Sequence, residues 1–396
     1  MPVEPRLKSV VWERDGDRLR VVYDIRDHLV IDDPDGAVDA LLDRLREGGR
    51  TVAGLAEALR AAGHAVSVDD VAAAVALLAS YRLLEDGRRL GHLDQAEQER
   101  YHSNLAFFES FATLERSRED LQRALREAHV LVLGTGGLNS NTIPHLCGLG
   151  VGRLTLLDRD VVEPRNFARQ YLYRHRDLGA RKVAVAADWV RGFDPTIKVE
   201  ALDASIDGPE DVAELVGRLR PDVVMSGVDR PREVDDWVNA GCVAHGVPYV
   251  RGGMWVTQGL VWSVDPGVSA CRACPPDSPA RAGSGGTGDT GAAATDVGGD
   301  DELASVALYR RKPRTNRGIG PVAGLLGALC AFEVLRYLTR FEPPAYAGRT
   351  VWIDFAAGCA VRVGEPVPRD PTCPVCGDAA RRPRPEGDRF QATGRR

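Results

Sequence analysis

Positive charge is in short supply: 51 Lys and Arg stand against 57 Asp and Glu, for a net charge of −6 and a pI near 5.8. That balance excludes the electrostatic footprint of a nucleic-acid binder. The single basic stretch, 381–396, mixes Arg with Pro and Gly, and 379–396 reads as a disordered tail. The opening residues, Met1-Pro2-Val3-Glu4-Pro5-Arg6, lack the apolar run of a secretory signal. The most apolar stretch, 322–338, is interrupted by Glu333 and Arg336 and reads as a buried helix, not a membrane span. Cysteine is sparse, with eight in 396 residues. Four of them form two CxxC pairs, which suits a metal in a reducing compartment better than a disulfide scaffold. A cytoplasmic protein with no membrane and no nucleic-acid partner is expected.

What is present is ordinary globular material, 44% hydrophobic and 27% charged, long enough for two domains. The most informative stretch is 130–182. His129-Val130-Leu131-Val132-Leu133 is a short, β-branched-rich apolar run, the mark of a buried parallel strand. Gly134-Thr135-Gly136-Gly137-Leu138-Asn139-Ser140 follows, then a helical pattern through Leu149. Glycines between a strand and a helix let the backbone approach a phosphate and aim the free N–H groups of the first helical turn at it. A second strand, Leu154-Thr155-Leu156-Leu157, ends at Asp158, about twenty residues past the glycines, where a dinucleotide-type fold places its ribose-binding carboxylate.

The next residues argue against a nicotinamide enzyme. Asp158-Arg159-Asp160 leads into Asn166-Phe167-Ala168-Arg169-Gln170 and then Gly179-Ala180-Arg181-Lys182. A dehydrogenase has no use for this series of cations, whereas an enzyme handling a triphosphate needs Arg and Lys on its phosphoryl oxygens. Arg169 or Lys182 alone would be read as a solvated surface charge. After Lys182 the alternation continues, with strands at 199–202, 222–226 and 249–250 and helices at 212–219 and 234–245. Asp229 follows a strand's carboxyl end, where open α/β sheets bind ligands and a carboxylate suits Mg(II). The competing reading is an N-cap for the helix after Pro231.

On these residues the chain resembles the ThiF/MoeB and ubiquitin-activating superfamily of ATP-dependent adenylating enzymes, and within it the type that adenylates the peptide precursor of microcin C. Glu99-Arg100-Tyr101, Val228-Asp229, Trp237-Val238-Asn239, Cys242-Val243, Pro248-Tyr249, both CxxC pairs and Pro321-Val322-Ala323 extend the resemblance over nearly the whole chain. It implies an ATP site of Gly134, Gly136, Gly137, Asp158, Asp160, Asn166, Arg169, Gln170, Lys182 and Asp229. Arg169, Lys182 and Asp229 would be catalytic, with Asp229 the Mg(II) ligand, in a homodimer. Two departures stand out. Ser103 occupies the position three after Arg100 where the family commonly has an Arg reaching across the dimer to the phosphates. Asn139 replaces a third glycine, and tolerance of left-handed dihedrals would make that change mild.

Cys271-Arg272-Ala273-Cys274 and Cys373-Pro374-Val375-Cys376-Gly377 lie about a hundred residues apart, far beyond a local zinc-finger loop, yet each has knuckle spacing. Cys271, Cys274, Cys373 and Cys376 would close a structural Zn site. The remaining four, Cys147, Cys242, Cys330 and Cys359, sit in apolar contexts and are expected as buried small hydrophobes. The Gly- and Ala-rich loop 275–315 reads as flexible. No cysteine occurs from Pro275 to Leu329, where ubiquitin-type enzymes carry their acceptor thiol, so no thioester step is expected.

The N-terminal residues 1–90 alternate as strands around the hairpin signal Asp15-Gly16-Asp17, then give helical patterns at 37–45, 52–62 and 71–78,. This predicts an α+β winged-helix-like domain. The third helix carries no Lys or Arg, so it resembles peptide-clamp domains that take a peptide as an added strand. Residues 91–126 read as a helical linker and 127–378 as an α/β adenylating domain with a Rossmann-like, mainly parallel sheet. The expected activity is ATP-dependent adenylation of a peptide or small-protein carboxylate in ribosomal peptide maturation. The alternatives are activation of a ubiquitin-like sulfur carrier and a non-catalytic leader-peptide scaffold.

Overall fold

The computed structural model describes residues 3–24, 27–275, 278 and 316–377. The loop expected at 275–315, apart from 275 and 278, and the tail expected at 379–396 lie outside the described residues. The chain divides into two compact units, Met1–Arg126 and Glu127–Arg396.

In the first unit, β1 (Pro5–Leu7) is followed by β2 (Val11–Asp15), β3 (Arg18–Asp24) and β4 (Asp27–Asp32). The last three form an antiparallel sheet in the order β2-β3-β4. Gly16, at φ 59°, supplies the left-handed residue of the β2–β3 turn,. Then come α1 (Ala37–Glu47), α2 (Val52–Ala61), α3 (Val68–Ser80) and β5 (Leu84–Asp86), which returns to pair with β1. Thr51 caps α2, and Ser67 caps α3 in a reciprocal box with Asp70,. Leu19 and Val21 of β3 meet Leu42, Leu45, Leu55, Leu59 and Leu78 in one core. The stretch expected as one or two long linker helices forms three short ones within this unit, α4 (Gln95–Arg100), α5 (His102–Glu109) and α6 (Arg118–Glu127). Glu119 of α6 accepts bonds from the N–H groups of Gly91, His92 and Leu93, which fixes the chain ahead of α4. Of the aromatic residues on these helices, Tyr101 and Phe108 are buried while Phe107 is exposed.

The second unit is an α/β unit around an eight-stranded sheet. Its elements are β6 (His129–Leu133), α7 (Asn139–Leu149), β7 (Arg153–Leu157), α8 (Lys182–Phe193), β8 (Lys198–Leu202), α9 (Pro209–Leu219), β9 (Val223–Ser226), α10 (Val234–His245), β10 (Tyr249–Trp255), β11 (Gln258–Val264), α11 (Gly320–Thr339), β12 (Thr350–Asp354) and β13 (Ala360–Val363). The strand order is β13-β12-β11-β10-β9-β6-β7-β8. The run from β8 to β10 is parallel, and β11 to β13 add on antiparallel. β6 is buried along its whole length, as a central parallel strand must be. The chain leaves β6 for β7 on one side and returns as β9 on the other, so a crevice opens at their carboxyl ends.

α11 is long and apolar enough to cross a membrane by length and composition, but most of it is buried inside the unit. Its Glu333 explains why it belongs there. This fully buried carboxylate accepts from Ser263 Oγ at 2.7 Å and from the N–H groups of Tyr346 and Ala345 at 2.8 and 2.9 Å. Three cysteines, Cys147, Cys242 and Cys330, are buried as expected, but Cys359 is exposed at φ 63° in the turn between β12 and β13. A tight turn leaves its side chain no core to enter.

Replacing Glu333 with Ala strands two backbone donors and a hydroxyl in the interior. We expect a loss of about 3 kcal/mol, with Glu333→Gln losing less, read as a lowered urea midpoint of the full chain.

Candidate functional site

The site is assembled where β6, β7 and β9 end. Gly134 leaves β6 at φ +80°, and a Cβ there would stand 3.1 Å from Val228 Cγ1 and 3.4 Å from the Gly227 carbonyl carbon. Glycine is therefore required twice over, by dihedral and by the nearness of the β9 turn. Asn139 holds that closeness. Its amide donates to the carbonyls of Leu133 and Gly134 at 3.0 and 2.7 Å, and a Cβ on Gly227 would fall 2.5 Å from the same nitrogen. Asn139 is the first residue of α7 and is absent from the positive-φ positions. Its substitution for glycine thus works through a side-chain clamp and not, as expected, through left-handed backbone.

Asp158, at the end of β7, is buried and already engaged. Oδ2 accepts from Thr135 N at 2.7 Å and Thr135 Oγ1 at 2.9 Å, and Oδ1 accepts from Asp160 N at 2.8 Å. Tyr173 closes this corner, its hydroxyl donating to the Thr135 carbonyl at 2.8 Å. Burial pushes the Tyr173 phenol up, so it stays a donor. Thr135 and Tyr173 were not singled out from the sequence. Thr135 sits inside the glycine turn and offered a local signal, whereas Tyr173 lies 38 residues away and offered none.

Arg169 and Gln170 lie over the glycine turn. A Cβ on Gly137 would be 2.9 Å from Arg169 Nε, and one on Gly136 3.9 Å from Gln170 Nε2. The Arg169 carbonyl is held from below by Asn141 Nδ2 at 2.9 Å and Ser140 Oγ at 3.3 Å. Burial pulls the Arg169 guanidinium below its ordinary value, and Asp229 acts in the opposite sense. An added anion at this spot would relieve that deficit of negative charge. Asn166 is buried and accepts from Glu163 N through Oδ1 at 2.8 Å, which shapes the turn carrying Arg169. Gln170 Oε1 is buried with no hydrogen-bond partner among the described residues.

Lys182 opens α8 and is 4% exposed, with Nζ 2.9 Å from Asp160 Oδ2. An ammonium at the positive end of a helix doubles the attraction for an anion. Asp229 is exposed in the turn after β9. It does not cap α10, whose N-cap is Glu233. Glycine turn, Asp158, Asn166, Arg169, Gln170 and Asp229 thus belong to the segments that follow the carboxyl ends of β6, β7 and β9, with Lys182 at the start of α8, an arrangement able to cradle a polyphosphate.

Away from the crevice, the sulfurs of Cys271, Cys274, Cys373 and Cys376 lie within 4.8 Å of one another, all buried. Burial pushes the Cys376 thiol up, and the neighbouring Cys274 sulfur pushes that of Cys271 up. As thiolates, four sulfurs so close would need a cation among them. The donor set fits a four-coordinate metal.

The ThiF family model matches residues 108–375. Among curated relatives, the molybdopterin-synthase adenylyltransferase of Escherichia coli is 31% identical over 65% of this chain and 90% of its own. The SAMP-activating enzyme E1 of Haloferax volcanii is 29% identical over 65% and 83%. Among solved structures, E. coli MccB with ATP superposes at a TM-score of 0.69, 19% identity, over 94% of this chain and all of that one. The microcin C7 biosynthetic enzyme MccB in complex with N-formylated MccA matches at 0.68, 20% identity, over 94% and 100%. With the glycine turn, the buried Asp158 and the Arg169–Lys182 cations in place, the chain belongs to the ThiF family and is an enzyme of the adenylyltransferase type.

Proposed function

We propose that this protein uses Mg·ATP to adenylate the carboxylate of a peptide, in the maturation of a ribosomally made peptide product. One observation carries the choice of a peptide. The curated relatives align with about 65% of the chain, whereas the fold of MccB extends over 94% of it. The likeness therefore takes in the N-terminal unit as well as the adenylating one. Within that unit the outer edges of β2 and β4 are free of strand partners among the described residues, and either could take a peptide as an added strand.

The chemistry asks for position and charge. A peptide carboxylate is already ionised near neutral pH, so its attack on the α-phosphate of ATP needs no general base. The acyl–oxygen–phosphorus bond forms as the bond to pyrophosphate breaks. Asp158 has lone pairs left for ribose hydroxyls, and the Gly134, Gly136 and Gly137 turn and Asn166 line the nucleotide. Asp160 and Gln170 border it. Arg169 and Lys182 neutralise phosphate oxygens as charge shifts to the leaving group. Lys182 would exchange its partner Asp160 for the phosphates, and Asp229 would hold Mg(II).

Zinc suits the four-cysteine cluster. Tetrahedral Zn–S bonds of about 2.3 Å put sulfurs about 3.8 Å apart. The sulfurs here lie 3.7 Å (Cys271–Cys373) and 3.3 Å (Cys274–Cys376) apart, so binding would spread them slightly. With every position filled by protein, the metal would be structural. A cytoplasmic homodimer is proposed with it. Ser103 is exposed on α5, so a cation other than the usual one would have to reach the partner's phosphates.

A second reading, activation of a ubiquitin-like sulfur carrier, is favoured by the named activities of the curated relatives. Peptide-dependent against carrier-dependent ATP–pyrophosphate exchange separates the two.

Lys182→Ala should abolish ATP–pyrophosphate exchange, a drop of at least about 100-fold, with an unchanged circular dichroism spectrum; unchanged exchange would remove the assignment. Purified protein should carry one zinc per chain by elemental analysis. Cys373→Ser should release it and lower the thermal midpoint, because a structural zinc contributes directly to folding.

A further inference from the structure

The helix α10 begins a few residues after Asp229, and its first turn carries two adjacent acids, Asp235 and Asp236. Neither is a solvated surface charge. Asp235 Oδ1 is 2.8 Å from Arg251 Nε on β10, with only 10% of the arginine and 14% of the aspartate side chain exposed. Asp236 Oδ1 is 2.7 Å from Arg272 Nε, with 8% of the arginine and 26% of the aspartate side chain exposed.

Arg272 is the residue following Cys271 in the first CxxC pair. Its backbone N–H also donates to Asn239 Oδ1 of α10 at 3.0 Å, and that oxygen accepts from the Tyr249 hydroxyl at 3.2 Å. The knuckle itself is shaped by N–H to sulfur bonds, Cys271 N to Cys274 Sγ at 3.3 Å and Ala273 N to Cys271 Sγ at 3.4 Å. The indole of Trp262 lies about equally far from both guanidiniums, 5.9 Å from that of Arg251 and 6.0 Å from that of Arg272. Both guanidiniums are largely buried, so breaking either pair leaves an uncompensated charge in the interior, and both pairs hold their geometry,.

The turn bearing Asp229 is thereby gripped at both ends. Gly227 is pressed against Asn139 at one end, and Val234, buried at the start of α10, is followed by the two paired acids at the other. Asp229 itself is exposed.

We propose that Arg272 is a positioning residue that transmits the geometry of the four-cysteine knuckle to the first turn of α10 and so sets where Asp229 stands. This rests on the reading of Asp229 as the Mg(II) ligand. The four-cysteine cluster and the nucleotide crevice are then coupled through Arg272, by its side chain to Asp236 and its backbone N–H to Asn239, and a structural metal acquires an influence on Mg(II) affinity without touching substrate.

The test uses the full-length protein and Arg272→Met, Arg272→Lys and Asp236→Asn variants. Hydrogen exchange over 228–236, which needs no activity, should quicken by about ten-fold in Arg272→Met and Asp236→Asn, and Arg272→Lys should restore part of the protection. Metal content should remain that of the parent protein. The Mg(II) concentration for half-maximal ATP–pyrophosphate exchange should rise several-fold, with little change in the rate at saturating Mg(II). Should Arg272→Met lose its metal or fail to fold, Asp236→Asn reaches the same pair from the helix side and leaves the knuckle intact. Unchanged exchange over 228–236 in Asp236→Asn overturns the proposal. If the parent protein shows no ATP–pyrophosphate exchange, the proposed function fails, and the hydrogen-exchange arm still decides whether Arg272 sets the turn.

Discussion

The constraint on which the rest of the molecule depends is how closely the ends of β6 and β9 approach. Gly134 and Gly227 face each other across the crevice, with the Asn139 amide bonded to the last carbonyls of β6 and packed on Gly227. A larger residue at Gly227 would displace the Asn139 amide, and one at Gly134 would crowd Val228 and strain a left-handed backbone,. That closeness fixes where α7 starts, and α7 in turn fixes Arg169 by holding its carbonyl from Ser140 and Asn141. The guanidinium then lies over Gly137 because the glycine leaves it room. The position of this cation is thus an extension of the glycine turn.

Charge in the crevice is arranged to bind an anion more than to move a proton. Arg169 is half-buried with burial working against its charge, Lys182 is buried against an Asp160 that is largely exposed, and Asp158 is fixed by three donors. An acyl adenylate forms from a nucleophile that is already ionised, so such a site answers the reaction's need for positioned charge. The same logic recurs at the knuckle, where Arg251 and Arg272 are neutralised by Asp235 and Asp236 in the interior.

Much of the fold was legible because its signals are local. The β-branched run 129–133, the glycines after it and the acid ending the next strand lie within one βαβ unit, where period and turn chemistry decide structure. The helix at 234–245 followed from apolar spacing, and the one expected at 52–62, observed over Val52–Ala61, from spacing and its Thr51 cap. The misreadings arose where distant contacts decide. Residues 91–126 break into three helices held in part by Glu119. Cys359 looked like a core residue by its neighbours but sits on a turn facing solvent. Asn139 looked like a backbone substitution and proved to be a side-chain clamp.

The sequence by itself determined the chemistry available: which residues could meet a triphosphate, which four thiols could share a metal, and that the third N-terminal helix carries no charge for nucleic acid. These follow from residue type and spacing along one segment at a time. Only the tertiary structure decided which of them act together. Thr135 and Tyr173 at Asp158, Glu333 under the β11 strand, and Arg272 on α10 are all pairs far apart in the chain. A hydrogen bond between such residues exists because the sheet order brings their strands together, and sheet order is a property of the packed molecule that no local pattern encodes.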